Sequence, residues 1–351
     1  MAHIREVARK NGRKFEVRWR EGGKERQNTF SVKRDAERFA LMVENTKSSG
    51  GTTEPMRARG ATVQEIVEAS LAASRPKLKP STLAGYEMVY DKFVLPAFGK
   101  KRIAQVTSLE VERWIAAMVT AGKASNTIRN RYMALNKVFR YAQRHRLIAH
   151  NPCDAVELPR LAHKEGFAPV FLTALQVEQI GDALEPIEPL GTVIRFAAYT
   201  GLRAAELQGL RIRDVNLTAG HVEVRQTYRP INGVWTFGTP KSRRSTRDVP
   251  LLNRALIADL RAHLLRHPNS GDPDALFWPG RADHTGRTDW RKPPNCGTVL
   301  RSYLAPTAKR LGIVEHIRFH DLRHTYASLM LAAGFPVYEV SRYMGHGSVA
   351  R

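Results

Sequence analysis

From about residue 61 to 160 the apolar side chains recur three and four positions apart, the spacing of one helix face, so this stretch is expected to form a helical bundle. Thr62-x-x-Glu65 reads as a capping box opening a helix that carries Ile66, Val67 and Leu71. Tyr86, Val89, Tyr90 and Phe93 make the apolar face of a second helix. Thr107-x-x-Glu110 opens a third, with Val111, Trp114, Ile115 and Met118 inward. A fourth starts at Ser125 and buries Ile128, Tyr132, Leu135, Val138, Phe139 and Ala142. Its opposite face holds Arg129, Arg131, Lys137, Arg140, Arg144 and Arg146. The aromatic residues on these stripes read as core packing, and Asn151-Pro152 ends the bundle.

The flanking segments follow other rules. Phe15-Glu16-Val17-Arg18-Trp19-Arg20 alternates apolar and charged residues, as a half-buried strand does. Glu21-Gly22-Gly23-Lys24 supplies a turn, and residues 26–30 return as a second strand. Ser31 then caps a helix bearing Ala36, Phe39, Ala40 and Val43. This predicts a small β-β-α module with the helix on one sheet face and Arg18, Arg20 and Arg26 on the other. The Ser-, Gly- and Thr-rich run 47–55 reads as a linker, and residues 158–166 as a second one. Beyond it the pattern is mixed but mainly helical. Thr173-x-x-Gln176 caps a helix, and residues 193–199 begin another. Residues 221–225, 234–237 and 247–251 read as short strands of a small antiparallel sheet, with Asn232-Gly233 turning between the first two. The expected domains are 1–56, 57–160 and 165–351.

Charge narrows the partner. The chain of 351 residues carries 56 Lys+Arg against 33 Asp+Glu, a net charge of +23, spread along its whole length. A folded protein of this kind holds a polyanion, and double-stranded DNA is the expected one; RNA is the blander alternative. An anionic membrane is the weaker reading, because no long apolar run supports it. Cys153 and Cys296 sit in no metal-ligand spacing and read as reduced thiols of a cytoplasmic protein. The charged N-terminus has no apolar segment of signal-peptide length.

Four segments carry chemistry. Breaking a phosphodiester without a metal requires cations on the non-bridging oxygens and a proton donor for the leaving alkoxide. Guanidinium groups suit the first task, since a planar fork matches two phosphate oxygens. Arg203 sits in Thr200-Gly201-Leu202-Arg203-Ala204-Ala205-Glu206-Leu207, near a helix start, with Glu206 able to orient its neighbours. His320-Asp321-Leu322-Arg323-His324-Thr325 places His320 and Arg323 at i,i+3. His320 and His324 are also spaced for zinc, but the arginine between them and the missing glutamate argue against a metal. Lys241 lies in a basic turn followed by Arg247-Asp248-Val249-Pro250-Leu251, and His346 in Met344-Gly345-His346-Gly347-Ser348.

In order and spacing these boxes resemble the signature of the tyrosine recombinases, the phage integrase family. The resemblance implies an arm-type DNA-binding module, a helical core-binding domain and a catalytic domain of mainly helical fold with a small sheet. It implies that Arg203 and Arg323 clamp the scissile phosphate, and that Lys241 protonates the leaving 5′ oxygen. His320 would assist proton transfer, His346 would add a phosphate hydrogen bond, and Glu206 would support. No metal or organic cofactor is implied, since a 3′-phosphotyrosyl link conserves the bond energy. Implied partners are attachment sites with inverted repeats and arm sites, a homo-tetramer on DNA, and possible excisionase and DNA-bending proteins. Arm binding favours integration of a phage or mobile element over resolution of chromosome dimers.

The family's nucleophilic tyrosine is expected about nine residues after His346, and the sequence ends at Arg351. Tyr326, Tyr338 and Tyr343 read as packing residues. The expectation is therefore a C-terminally shortened integrase that binds DNA without cleaving it; the alternative is a non-catalytic DNA-binding regulator descended from a recombinase.

Overall fold

The computed structural model describes residues 2–9, 12–21, 24–48, 60–159, 169–239, 246–282 and 287–345. Their buried apolar side chains gather in three separate clusters, drawn from residues 17–43, 63–156 and 172–344.

In the first, β1 (His3–Arg9), β2 (Gly12–Glu21) and β3 (Lys24–Phe30) form an antiparallel sheet in that order, followed by α1 (Lys33–Ser48). The expected β-β-α unit thus gains a strand at its N-terminal edge. Val17 and Trp19 point toward α1, where Trp19 meets Phe39 edge-on at 5.4 Å. Arg26 is a correction. It pairs in register with Trp19, and directly opposed residues share a sheet face, so Arg26 lies on the helix-covered side. Arg18 and Arg20 do share the other face. There Arg18 pairs with Glu16 at 2.8 Å, and Arg20 is exposed.

The second cluster is the helical bundle. It comprises α2 (Val63–Ser74), α3 (Pro80–Val89), α4 (Leu95–Phe98), α5 (Ser108–Thr120) and α6 (Ser125–Arg144). The capping boxes Thr62/Glu65 and Thr107/Glu110 both form. A π-turn, Tyr90–Val94, joins α3 to α4 just ahead of Pro96. Proline lacks an N–H and its ring crowds the carbonyl four residues back, so widening the turn relieves both faults. Two buried phenols are satisfied by backbone: Tyr90 donates to Ala134 O at 3.3 Å and Tyr132 to Cys153 O at 2.7 Å.

The third cluster surrounds α8 (Leu190–Thr200), which is buried along almost its whole length and packs against α7 (Ala174–Leu184). Its Arg195 is held by Glu178 at 2.7 Å, by Glu185 at 2.8 Å and by Asp182. α9 (Ala204–Gln208) follows, then strands β4 (Val215–Asn216), β5 (His221–Val224), β6 (Thr227–Ile231), β7 (Val234–Gly238) and β8 (Arg247–Pro250). β4, β5 and β8 form one antiparallel sheet, while β6 and β7 form a separate hairpin. The Asn232-Gly233 turn, with φ of 49° and 81°, therefore closes β6–β7 and not a pairing of 221–225 with 234–237. Pro230 hid β6 in the sequence; a two-stranded ribbon tolerates it because an edge needs no N–H there. The chain continues through α10 (Arg254–Arg266), β9 (Gly280–Arg281), β10 (Thr288–Asp289), α11 (Cys296–Val299) and α12 (Ala305–Arg310). It ends in α13 (Asp321–Ala332) and α14 (Val337–Met344), which frame the site.

Candidate active site

The end of α14 meets three arginines from three different elements. Gly345 takes φ of +64° and terminates the helix, which leaves its last carbonyls without partners of their own. Arg247, from β8, donates Nε–H to Tyr343 O. Arg323, in the first turn of α13, donates to Met344 O, and on its other arm to Gly201 O at 2.6 Å. Arg203, at the N-terminal boundary of α9, donates to Gly345 O at 3.2 Å. Cations are favoured at a helix C-terminus, so this arrangement also complements the helix dipole.

Glu206 joins the arginines. It accepts from the Arg203 backbone N–H at 2.9 Å and from the Arg203 guanidinium at 2.8 Å. The two terminal nitrogens of Arg247 reach its carboxylate at 3.2 and 2.9 Å. Burial alone would raise the Glu206 pKa, but these partners, Arg247 first, hold it below the usual carboxylate range. Among the described residues, this cluster sets three guanidinium charges against one carboxylate. Arg323 is only 2% exposed. Its burial, aided by the like charges of Arg203 and Arg247, pulls the guanidinium down to about 9, so it stays charged at neutral pH.

His320 stands at the N-terminal boundary of α13, exposed, while Arg323 one turn on points into the core. Burial of part of the ring, with His324, Arg323, Arg318 and Arg203 nearby, lowers its pKa and favours the neutral imidazole. The His320 and His324 rings are perpendicular with centroids 5.0 Å apart. Asp321 fixes the loop before α13 by accepting from Arg318 N at 2.8 Å and from its side chain. Gly201 has φ of +62° and lies so near Tyr326 that a Cβ would come within 2.5 Å of the ring. Glycine at this position lets Gly201 O reach Arg323.

Arg203, Glu206, His320 and Arg323 are thus brought together. Lys241 and His346 lie outside the described residues. Arg247 was not singled out in the sequence, although a signal existed: it alternates with buried Val249 and so occupies an inward strand position. Tyr326 is buried within α13, and Tyr343 receives a hydrogen bond from Arg342, but Tyr338, expected to pack, is 62% exposed.

The basic face of α6 is partly committed to packing. Arg131 lies over Phe93 at 3.4 Å and Lys137 over Tyr86 at 4.0 Å. Arg129 and Arg140 are exposed. Lys77, Tyr86, Lys137, Arg140 and Arg144 line one basic groove with an aromatic wall.

Residues 170–351 match the model of the phage integrase family, and residues 62–119 match that of the phage integrase N-terminal SAM-like domain. A putative prophage phiRv2 integrase of Mycobacterium tuberculosis is 28% identical over 340 residues, covering 91% of this chain and 81% of the relative. In fold, the chain is similar to a Tn1549 transposon integrase in complex with a circular intermediate DNA, with TM-score 0.65 and 20% identity over 82% of this chain and 92% of that one. It is also similar to a lambda integrase tetramer bound to a Holliday junction, with TM-score 0.58 and 20% identity over 98% and 95%.

Proposed function

Because the chain belongs to the phage integrase family of tyrosine recombinases, we propose that it serves integration of a phage or mobile element through a 3′-phosphotyrosyl intermediate. The carrying observation is the excess of guanidinium charge around Glu206. Arg203, Arg247 and Arg323 hold +3 against −1, and an anion of the phosphodiester class balances the remainder. Arg203, less buried than Arg323, meets a non-bridging oxygen from the mouth, and Arg323 meets one from below. Both stabilise the charge that builds up in the transition state. Neutral His320 takes the proton of an attacking hydroxyl. Lys241 is assigned as proton donor to the leaving 5′ oxygen and His346 as a phosphate hydrogen-bond donor, both on family resemblance.

Residues 1–56, 57–160 and 165–351 are proposed as arm-binding, core-binding and catalytic domains. Arg18, Arg20, Arg129 and Arg140 are offered as phosphate contacts, with Arg131 and Lys137 contributing from their ring-stacked positions. The working unit is a homo-tetramer on inverted-repeat DNA in the bacterial cytoplasm. No helix among the described residues is long and apolar enough to cross a membrane.

The 351 residues are proposed to bind DNA without cutting it, because neither tyrosine nearest the arginines is placed to attack a phosphate in the pocket. Tyr326 is enclosed in the core, and Tyr343 lies on the helix whose end the arginines cap. Incubation with a nicked suicide duplex, followed by denaturing electrophoresis, tests this. The expectation is a salt-sensitive non-covalent complex and no covalent adduct. An adduct refutes the non-cleaving reading, and failure to bind duplex DNA refutes the recombinase reading.

A further inference from the structure

The outer face of the β4-β5-β8 sheet carries a group of side chains that the phosphate pocket does not use. Val222, Val224 and Val249 fill the inner face, so His221, Glu223 and Asp248 project outward. Glu223 and Asp248 are directly opposed in the antiparallel register. Like charges in that relation destabilise a strand pair. One ligand atom from each of His221, Glu223 and Asp248 lies within 4.8 Å of the other two.

The separation of His221 and Glu223 fits a shared cation better than a hydrogen bond. His221 Nε2 and Glu223 Oε1 are 3.5 Å apart, long for a hydrogen bond. A tetrahedral ion with bonds of about 2.1 Å sets neighbouring donors about 3.4 Å apart. Arg225 grips the other oxygen of Glu223, which turns Oε1 toward His221. Partners of this kind orient metal-binding carboxylates.

We propose that His221, Glu223 and Asp248 form a binding site for a divalent transition cation of the zinc class. One imidazole and two carboxylates, with total charge −2, are a donor set that such ions accept, and a fourth position stays open. The site takes no part in phosphoryl transfer. The cation cross-links β5 to β8 and removes the repulsion between Glu223 and Asp248. On the opposite side of the same strand, Arg247 holds Glu206, so the cation stiffens the strand that carries this anchor.

Calorimetric titration of the chelator-treated full chain with Zn²⁺ tests the proposal, with His150→Ala as a control for adventitious histidine binding. One saturable event per chain is expected, retained in His150→Ala and lost in both His221→Ala and Asp248→Asn. Arg225→Met should weaken it by about tenfold. Melting curves without metal should show both ligand variants folded, with Asp248→Asn at least as stable as the parent chain. Co²⁺ should give a ligand-field spectrum that His221→Ala abolishes. Binding unchanged in His221→Ala or in Asp248→Asn overturns the proposal, as does the absence of any saturable event in the parent chain.

Discussion

Glu206→Gln removes one charge from the centre of the pocket and almost no volume. The carboxylate is 2% exposed and accepts four hydrogen bonds, two from Arg203 and two from Arg247. With glutamine, three guanidiniums face one another without an anion, and one amide end presents N–H to donors. Breaking a buried pair by removing one partner costs about 3–5 kcal/mol. For a unit of this size that corresponds to a melting shift of roughly 10 °C. The loss should depend on pH with a definite sign. The folded pKa of Glu206 lies below its unfolded value, so its contribution is full above the ordinary carboxylate range and fades as pH falls through the folded pKa. Parent and variant should therefore converge in acid. Sulfate or duplex DNA should restore part of the lost stability, because an anion replaces the missing charge. Scanning calorimetry between neutral and acid pH, with and without sulfate, measures all three effects. A neutral-pH shift under about 2 °C, or one that sulfate does not reduce, would show that Glu206 does not balance these arginines.

Other perturbations have equally definite outcomes. His263 donates to Phe277 O at 2.8 Å, and burial lowers its pKa to about 4. Its folded pKa is depressed, so stability is full above about 6.5 and falls by about 3 kcal/mol down to pH 4, a slope that urea titrations should find flattened in His263→Phe. Gly201→Ala should cost about 1–3 kcal/mol, through positive φ and the clash with Tyr326; an unchanged melting temperature would contradict the described turn. Arg20→Ala should weaken DNA binding and lower its salt slope by about 0.9 for one lost phosphate contact. By contrast, Arg26→Ala should change the melting of the N-terminal module more than its DNA affinity, because Arg26 lies on the helix-covered face.

Features decided by neighbouring residues were legible in the sequence. Capping boxes at Thr62, Thr107 and Thr173 need only three residues of spacing, and all three form. The helix stripes were equally plain, because burial of a stripe requires its period. Features decided by register were less legible. Alternation placed Arg26 with Arg18 only if the turn length was right, and one residue of slip moves a side chain to the other face. The strands at 3–9 and 227–231 carry charges or a proline, which weaken the strand pattern. Arg203, Glu206, His320 and Arg323 were found because their spacing is local. Arg247 escaped, because its importance comes from a carboxylate 41 positions away.

The arginines at the end of α14 also have a thermodynamic consequence. Carbonyl oxygens of Tyr343, Met344 and Gly345 occupy N–H groups that a phosphate would also seek. Any phosphate that takes those donors leaves peptide oxygens to find water, so DNA entry and fraying of this helix end are reciprocally coupled. Substitutions that tighten the cap should weaken DNA affinity, and bound DNA should quicken amide exchange around the cap. The end of α14 is therefore held by the same donors that a phosphate would take, so amide exchange at Met344 and Gly345 becomes a readout of whether the pocket is filled.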